Sequence, residues 1–227
     1  MARRKIVLVI VEGPSDADSL ELYFSKFFDS KTVHMKIMYG DITSKRGINQ
    51  SNIKARLGNE IKVYAENNHF KAADVQQIIH LVDMDGAFVD DSVIIEDETK
   101  DKFLYTLESV IVPNRQVAIE RNEHKRENLN TLSSRTSVMW NNIPYKIYYM
   151  SCNLDHVLHD KPNATDEEKK ANSLDFTERY YDDINAFIKF ISESTFSQCT
   201  GYKESWDYIK QDKHSLERNS NLGLCFI

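Results

Sequence analysis

The chain alternates between two hydrophobic periods. Residues Ile6–Val11, IVLVIV, form a continuous apolar run that is β-branched except at Leu8, the pattern of a strand covered on both faces in a parallel sheet. The period then becomes helical. After GPSD, the residues Leu20, Tyr23, Phe24 and Phe27 recur at i, i+3, i+4 and i+7, and Ser15 or Asp16 can supply the cap. A second strand is predicted over 33–39, closed by the loop GDITSKRGINQ, and Ile53, Leu57, Ile61 and Tyr64 mark a helix over 51–66. A third strand over 75–82 runs into the segment DMDG. The order β-α-β-α-β predicts an α/β fold, a Rossmann-like parallel sheet flanked by helices with right-handed crossovers.

Beyond that point the pattern is less regular. Residues 90–102 read as an acidic, turn-rich connection, and 103–112 are apolar but fit a strand or a helix equally. The stretch 121–142 is polar almost throughout and predicts an exposed helix with few core contacts, whereas YKIYYMS at 145–151 predicts a strand. The Pro, Asn and Thr of the following CNLDHVLHDKPNATDEEKK place the end of the α/β domain near Asn163. Thr165 and Glu168 form a capping-box pattern for one long helix carrying Ile184, Phe187, Ile188 and Ile191. A further helix and an apolar anchor are expected after Gly201, around Trp206, Tyr208 and Ile209. The organisation predicted is therefore an α/β domain over 1–163 and a helical C-terminal appendage over 164–227.

Composition narrows the class. With 227 residues, 41% hydrophobic and 28% charged with mixed signs, the chain can bury a large core and is not of the disordered type. The basic N-terminus followed by an apolar run resembles a signal peptide, but Glu12 interrupts the run and no small-residue cleavage site follows. No apolar run reaches the roughly 18–20 residues of a membrane span, so no membrane partner is expected. Cys152, Cys199 and Cys225 are far apart and lack metal-ligand spacing, which fits a reducing cytoplasmic location. A net charge of −6 argues mildly against a protein that coats nucleic acid, but little against a metal-dependent nuclease, whose own carboxylates make its site acidic.

Candidate chemistry gathers at strand ends. In parallel sheets, residues just past the carboxyl ends of strands face the ligand crevice. Glu12 and Gly13 follow the first strand and Asp83 and Asp85 end the third, so three carboxylates are expected roughly 5–10 Å apart, with one strand intervening. Such a group repels itself unless a cation sits among it, and hard oxygen donors suit Mg²⁺ or Mn²⁺. The one-residue spacing places Asp83 and Asp85 on the same side of an extended chain, and Gly86 permits the sharp turn that follows.

These residues also carry a family resemblance. VEGPSD after the first strand and LVDMDG after a later one resemble the glutamate motif and the Asp-x-Asp motif of the Toprim domain, the fold of type IA topoisomerases, bacterial primases, small maturation ribonucleases and overcoming-lysogenization-defect nucleases. The resemblance spans about residues 4–90 by motif, and to about 160 by strand pattern. It implies a Toprim-like sheet, Glu12 as metal ligand or general acid/base, and Asp83 and Asp85 as the metal-binding pair. Topoisomerases add a tyrosine nucleophile from another domain and primases add zinc and nucleotide-handling modules. Neither is visible, so hydrolysis of phosphodiester bonds in DNA or RNA, transfer RNA included, is the expected reaction. Within the family the chain is similar to stand-alone Toprim proteins of phage-defence loci, the domain-of-unknown-function 4435 group. YYMSCNLDHVLH resembles a late segment of that group and of RloB-like proteins; Asp155 stands there where glutamate is more usual, as a candidate third ligand. Members can act beside a separate ATPase. This chain has no GxxxxGK[ST] loop, so control by ATP would come from such a partner.

Two other classes stay open. LVDMDGAF is also similar to the nucleophile motif of haloacid-dehalogenase phosphatases, in which Asp83 would attack phosphorus and Asp85 would protonate the leaving group. Against this, two strand–helix units precede the motif, Ala87 replaces the usual threonine, and the late acidic pair could only be Asp182 and Asp183, within a helical period. The phosphatase also has no use for VEGPSD. The third class is a Toprim-fold binding or sensor module without turnover. Supporting residues are equivocal: Asp16 can be a ligand contact or only a cap, and Lys45 and Arg46 a phosphate contact or only a solvated loop. Arg121, Lys125 and Arg126 can track a nucleic-acid backbone or simply lie on an exposed helix. His156 and His159 can touch substrate or serve as core histidines. Tyr145, Tyr148, Tyr149 and the late aromatics are read as core or interface, with base stacking the alternative, and a homo-oligomer stays open.

Overall fold

A computed structural model describes residues 5–29 and 31–227; the basic residues at positions 3 and 4 lie outside them. Seven strands and seven helices occur among the described residues: β1 (Ile6–Val11), α1 (Pro14–Phe27), β2 (Thr32–Ile37), α2 (Ile53–Asn67), β3 (Val75–Asp83), β4 (Ile94–Glu96), β5 (Leu104–Tyr105), β6 (Val110–Val112), α3 (Arg115–Ser133), β7 (Tyr145–Met150), α4 (Leu154–His159), α5 (Asp166–Tyr180), α6 (Ile184–Glu193) and α7 (Tyr202–Ile209). The main sheet has the order β2-β1-β3-β7 with every pair parallel. All four carboxyl ends therefore lie along one edge. β1 and β3 are direct neighbours, with Leu8 beside Ile78 and Ile10 beside His80, so the strand expected between the Glu12 and Asp83 positions lies instead on the outer side of β1.

Helices cover both faces. On β1, Val7, Val9 and Val11 face one layer with Leu20, Tyr23 and Phe24 of α1, Phe176 of α5 and Phe187 of α6. Ile6, Leu8 and Ile10 face the other, against Leu57 and Ile61 of α2, Leu129 and Leu132 of α3 and Trp206 of α7. The strand has two dry faces, so its sequence shows no alternation. A smaller sheet, β4-β6-β5, has its own cluster of Val89, Ile94, Val110 and Val112 beside the main edge.

Several expectations need correction. The ambiguous 103–112 segment is the antiparallel pair β5 and β6. The long C-terminal helix is two helices, α5 behind the predicted Thr165–Glu168 capping box and α6 capped by Asp183, whose Oδ1 accepts from the N–H groups of Asn185 and Ala186. Residues past Asn163 share the core of the sheet: Tyr23 stacks on Phe187 at 4.0 Å and donates to the Phe176 carbonyl. Asn163 itself pairs both amide atoms with the Tyr105 backbone at 2.8 Å, as a neighbouring strand would. Of the polar stretch 121–142 expected to be an exposed helix, residues to Ser133 belong to α3 and 134–142 are not helical, and α3 buries a stripe that includes Ala118, Asn122, Lys125, Leu129 and Leu132. Among the described residues no helix is long and apolar enough to cross a membrane, and the three cysteines are unpaired.

Candidate functional site

The carboxyl ends of β1 and β3 bring Glu12 and Asp83 into contact. The Asp83 N–H donates to Glu12 Oε1 at 3.1 Å, while Asp83 Oδ1 is buried and has no hydrogen-bond partner. Burial, followed by repulsion from neighbouring acids, Asp41 foremost for Glu12 and Glu12 foremost for Asp83, raises both carboxyls well above their ordinary range. Two largely desolvated carboxyls this close favour keeping a proton between them unless a cation offsets their charge.

The turn after β3 holds the second aspartate. Met84 N–H bonds to the Met150 carbonyl and Asp85 N–H to the Cys152 carbonyl, which continues the pairing along β7. Asp85 and Gly86 then take positive φ angles of 50° and 64°. A Cβ at Gly86 would stand 2.7 Å from Leu216 Cδ2, so the turn requires glycine for space as well as for φ. Asp85 Oδ1 accepts from the Tyr105 hydroxyl at 3.0 Å. Its Oδ2 lies 2.5 Å from Lys125 Nζ and 3.6 Å from Arg121 Nη1.

Lys125 is 0% exposed, and its ammonium bridges Asp85 and, at 2.7 Å, Asp41 Oδ2. Burial alone would lower its pKa, but Asp41, Asp85 and Glu12 outweigh burial and raise it, so the group is a permanently charged buried cation. Asp41 sits in the loop just past β2. It also accepts from the Thr43 N–H at 2.7 Å and from the Thr43 hydroxyl. Burial pushes its carboxyl up, but Lys125 and the hydroxyl donors hold it at about 2. Arg121 reaches the Asp85 carbonyl at 2.9 Å with its guanidinium over the Phe103 ring. Arg126 bonds the Ala87 carbonyl at 3.2 Å.

The predicted residues thus separate by position. Glu12, Asp83, Asp85, Arg121 and Lys125 converge on one centre, although Lys125 does so as a buried ion-pair partner and not as an exposed basic residue. Gly13 and Asp16 flank it: the Gly13 N–H bonds Asp16 Oδ2 at 2.9 Å, so Asp16 caps α1, and burial raises its carboxyl to about 6. Lys45 and Arg46 are exposed on the β2–α2 loop. Asp155 Oδ1 accepts from Asn172 Nδ2 at 2.9 Å, and its charge acts on Asp16. His156 and His159 are also set apart, His159 against the Phe176 ring. Sequence reading missed Asp41 and Tyr105. The rule that pointed to Glu12 and Asp83 points equally to Asp41, which follows a third parallel strand, but its segment reads as an ordinary polar loop.

Among the described residues no three His, Cys, Asp or Glu side chains are grouped so as to hold a metal ion. Asp41 and Asp85 are engaged by Lys125. The remaining pair nevertheless fits a hard dication chemically: Glu12 and Asp83 are adjacent carboxyls with an orphaned buried oxygen, and Mg²⁺ is commonly held by one or two carboxylates, with water and phosphate oxygens completing its shell. Of the late acids that a phosphatase would use, Asp183 caps α6 through the N–H groups of Asn185 and Ala186. Comparison of the chain with family models, curated proteins and solved structures finds no match.

Proposed function

We propose that this chain is a metal-dependent nuclease of the Toprim type that hydrolyses phosphodiester bonds with Mg²⁺ or Mn²⁺ at the Glu12–Asp83 centre. The observation that carries this reading is the contact between Glu12 and Asp83 at adjacent strand ends, with Asp83 Oδ1 buried and unpartnered. A buried polar atom without a partner is costly, and a pair of this kind is poised to exchange its proton for a dication. When bound, the cation supplies charge neutralisation and polarises the phosphate. Asp83 would hold it, and Glu12 would either complete its ligands or accept the proton of the attacking water. Arg121 and Lys125, both within reach of Asp85, favour the charge that builds on the phosphate. Asp41 and Asp85 orient Lys125 and hold it in place. A cytoplasmic effector role in phage defence, under a separate ATPase, rests on the motif resemblance alone.

The test is cleavage of DNA, messenger RNA and transfer RNA with Mn²⁺ or Mg²⁺ by wild type, Glu12→Gln and Asp83→Ala. Metal-dependent cleavage lost in both variants is expected. Cleavage that persists in Glu12→Gln would remove Glu12 from the chemistry. Metal binding without cleavage of any substrate would favour the non-catalytic module.

A further inference from the structure

Beside the acidic centre lies a groove of about 530 Å³, lined by Met38, Tyr39, Asp41, Lys45, Arg46 and Arg56, within the roughly 300–1,000 Å³ of pockets that take small molecules. Its position is fixed by the sheet. Past β2, Met38 N–H bonds the Val11 carbonyl and Gly40 N–H bonds the Glu12 carbonyl at 3.1 Å, so the groove floor is tied to the catalytic strand end. Between these two anchors Tyr39 adopts φ 55°, a left-handed conformation that disfavours an L-residue with a bulky side chain. The bend turns its ring outward, 80% exposed, the most exposed large hydrophobic side chain among the described residues. None of the ring contacts found among those residues involves Tyr39, so its faces are open.

The unpaired charges around this ring are cationic. Lys45, Arg46 and Arg56 are exposed and form no ion pair among the described residues. The acids that border them are engaged elsewhere, Asp41 by Lys125 at 2.7 Å and Glu60 by Lys36 at 3.5 Å. In a chain of net charge −6 this is a local surplus of cations around one open aromatic face.

We propose that this groove is a subsite for one unpaired nucleotide of a single strand, its base stacked on Tyr39 and its flanking phosphates held by Lys45, Arg46 and Arg56. The proposal deepens the nuclease reading and rests on it for what happens next to the groove. Flat open ring plus cations is the recognition chemistry of single-stranded nucleic acid, in which stacking tolerates any base and lysines and arginines follow the backbone. A duplex does not fit, because each paired base has both faces covered by its neighbours. Since Gly40 bonds the Glu12 backbone and Asp41 lines the groove, a strand held there lies beside the Glu12–Asp83 centre.

The test is fluorescence anisotropy of the full chain with labelled single-stranded and duplex oligonucleotides, DNA and RNA, in EDTA so that cleavage cannot occur. Tyr39→Ala, Tyr39→Phe and the pair Arg46→Ala with Arg56→Ala are compared, each with a thermal melt as fold control. Single strands are expected to bind more tightly than duplexes. Tyr39→Ala should weaken single-strand binding about tenfold with an unchanged salt slope, and Tyr39→Phe should restore it, because stacking needs the ring and not the hydroxyl. The double arginine variant should reduce the salt slope by about 1.4, about 0.7 per phosphate released. Equal binding of duplex, or full affinity in a folded Tyr39→Ala, would overturn the subsite. Equal competition by a nucleoside triphosphate would overturn the strand in favour of a free nucleotide. Tyr39-dependent binding by a protein that cuts nothing with metal would retain the subsite and defeat the nuclease reading, and cleavage without Tyr39-dependent binding would do the reverse.

Discussion

Replacing Lys125 by methionine tests the electrostatic account of the centre. The methionine nearly fills the same volume, so the main loss is the ammonium that bridges Asp41 and Asp85 at 2.7 and 2.5 Å. Breaking a buried ion pair from one side costs about 3–5 kcal/mol, because the partner charges stay buried without compensation. For a chain of this size each kcal/mol lowers Tm by about 2–4 °C, so Lys125→Met should melt about 6–20 °C below wild type at pH 7.5. The cost is one of charge and should therefore shrink as the pH falls into the carboxylate range, where Asp41, no longer held down by Lys125, takes up a proton. Millimolar Mn²⁺ should restore part of the loss at pH 7.5, since the freed carboxylates become donors. Differential scanning fluorimetry across pH, with and without Mn²⁺, measures all three effects. A Tm within 2 °C of wild type would show that the bridge carries no net stability. A full-sized loss that neither acid nor Mn²⁺ relieves would assign it to packing and refute the charge argument.

Other consequences follow from the same geometry. Glu12 and Asp83 have raised pKa values, so the folded state binds protons that the unfolded state has released. The stability they confer is complete below the ordinary carboxylate range and is lost as pH rises toward the raised values. Metal-free Glu12→Gln should therefore melt a few degrees above wild type at pH 8, and a lower Tm for it would contradict that sign. By the same proton exchange the thermal shift produced by Mn²⁺ should be larger at pH 8 than at pH 5.5; a pH-independent shift would place the ion elsewhere. Asp41 has the opposite sign: held at about 2 against an ordinary 3.8, it contributes on the order of 2 kcal/mol above about pH 4 that is lost as pH falls toward 2. Urea titrations of Asp41→Asn should show a correspondingly flatter acid limb. Gly86→Ala, with φ at 64° and a Leu216 carbon 2.7 Å from the new Cβ, should cost about 1–3 kcal/mol, and a neutral result in chemical denaturation would show that the turn can relax.

The apolar pattern alone determined the frame. IVLVIV has no polar position, so it can only be covered on both faces, and helical spacing at Leu20–Phe24 and Leu57–Ile61 supplies the covers; with parallel connections this places Glu12 and Asp83 on one edge. Their shared edge, the capping box at Thr165 and the glycine turn at Gly86 were legible because each depends on residues close in sequence or on a rule about strand ends, whereas the Glu12–Asp83 contact was not, because the sequence did not show that β1 and β3 are neighbours. Lys125 was not legible. Its stripe on α3 has the right period, but Asn122 and Lys125 occupy it where the eye seeks leucine. The acids that make burial of its charge tolerable lie 84 and 40 positions away. A charge is buried only when the fold brings its partners to it, so composition classed that helix as exposed. The same holds for Asp155, which sequence placed among the ligands and tertiary packing turned toward Asn172. Hydrophobic period is a local property and survives in one dimension, whereas charge compensation exists only between segments once the sheet has brought them together.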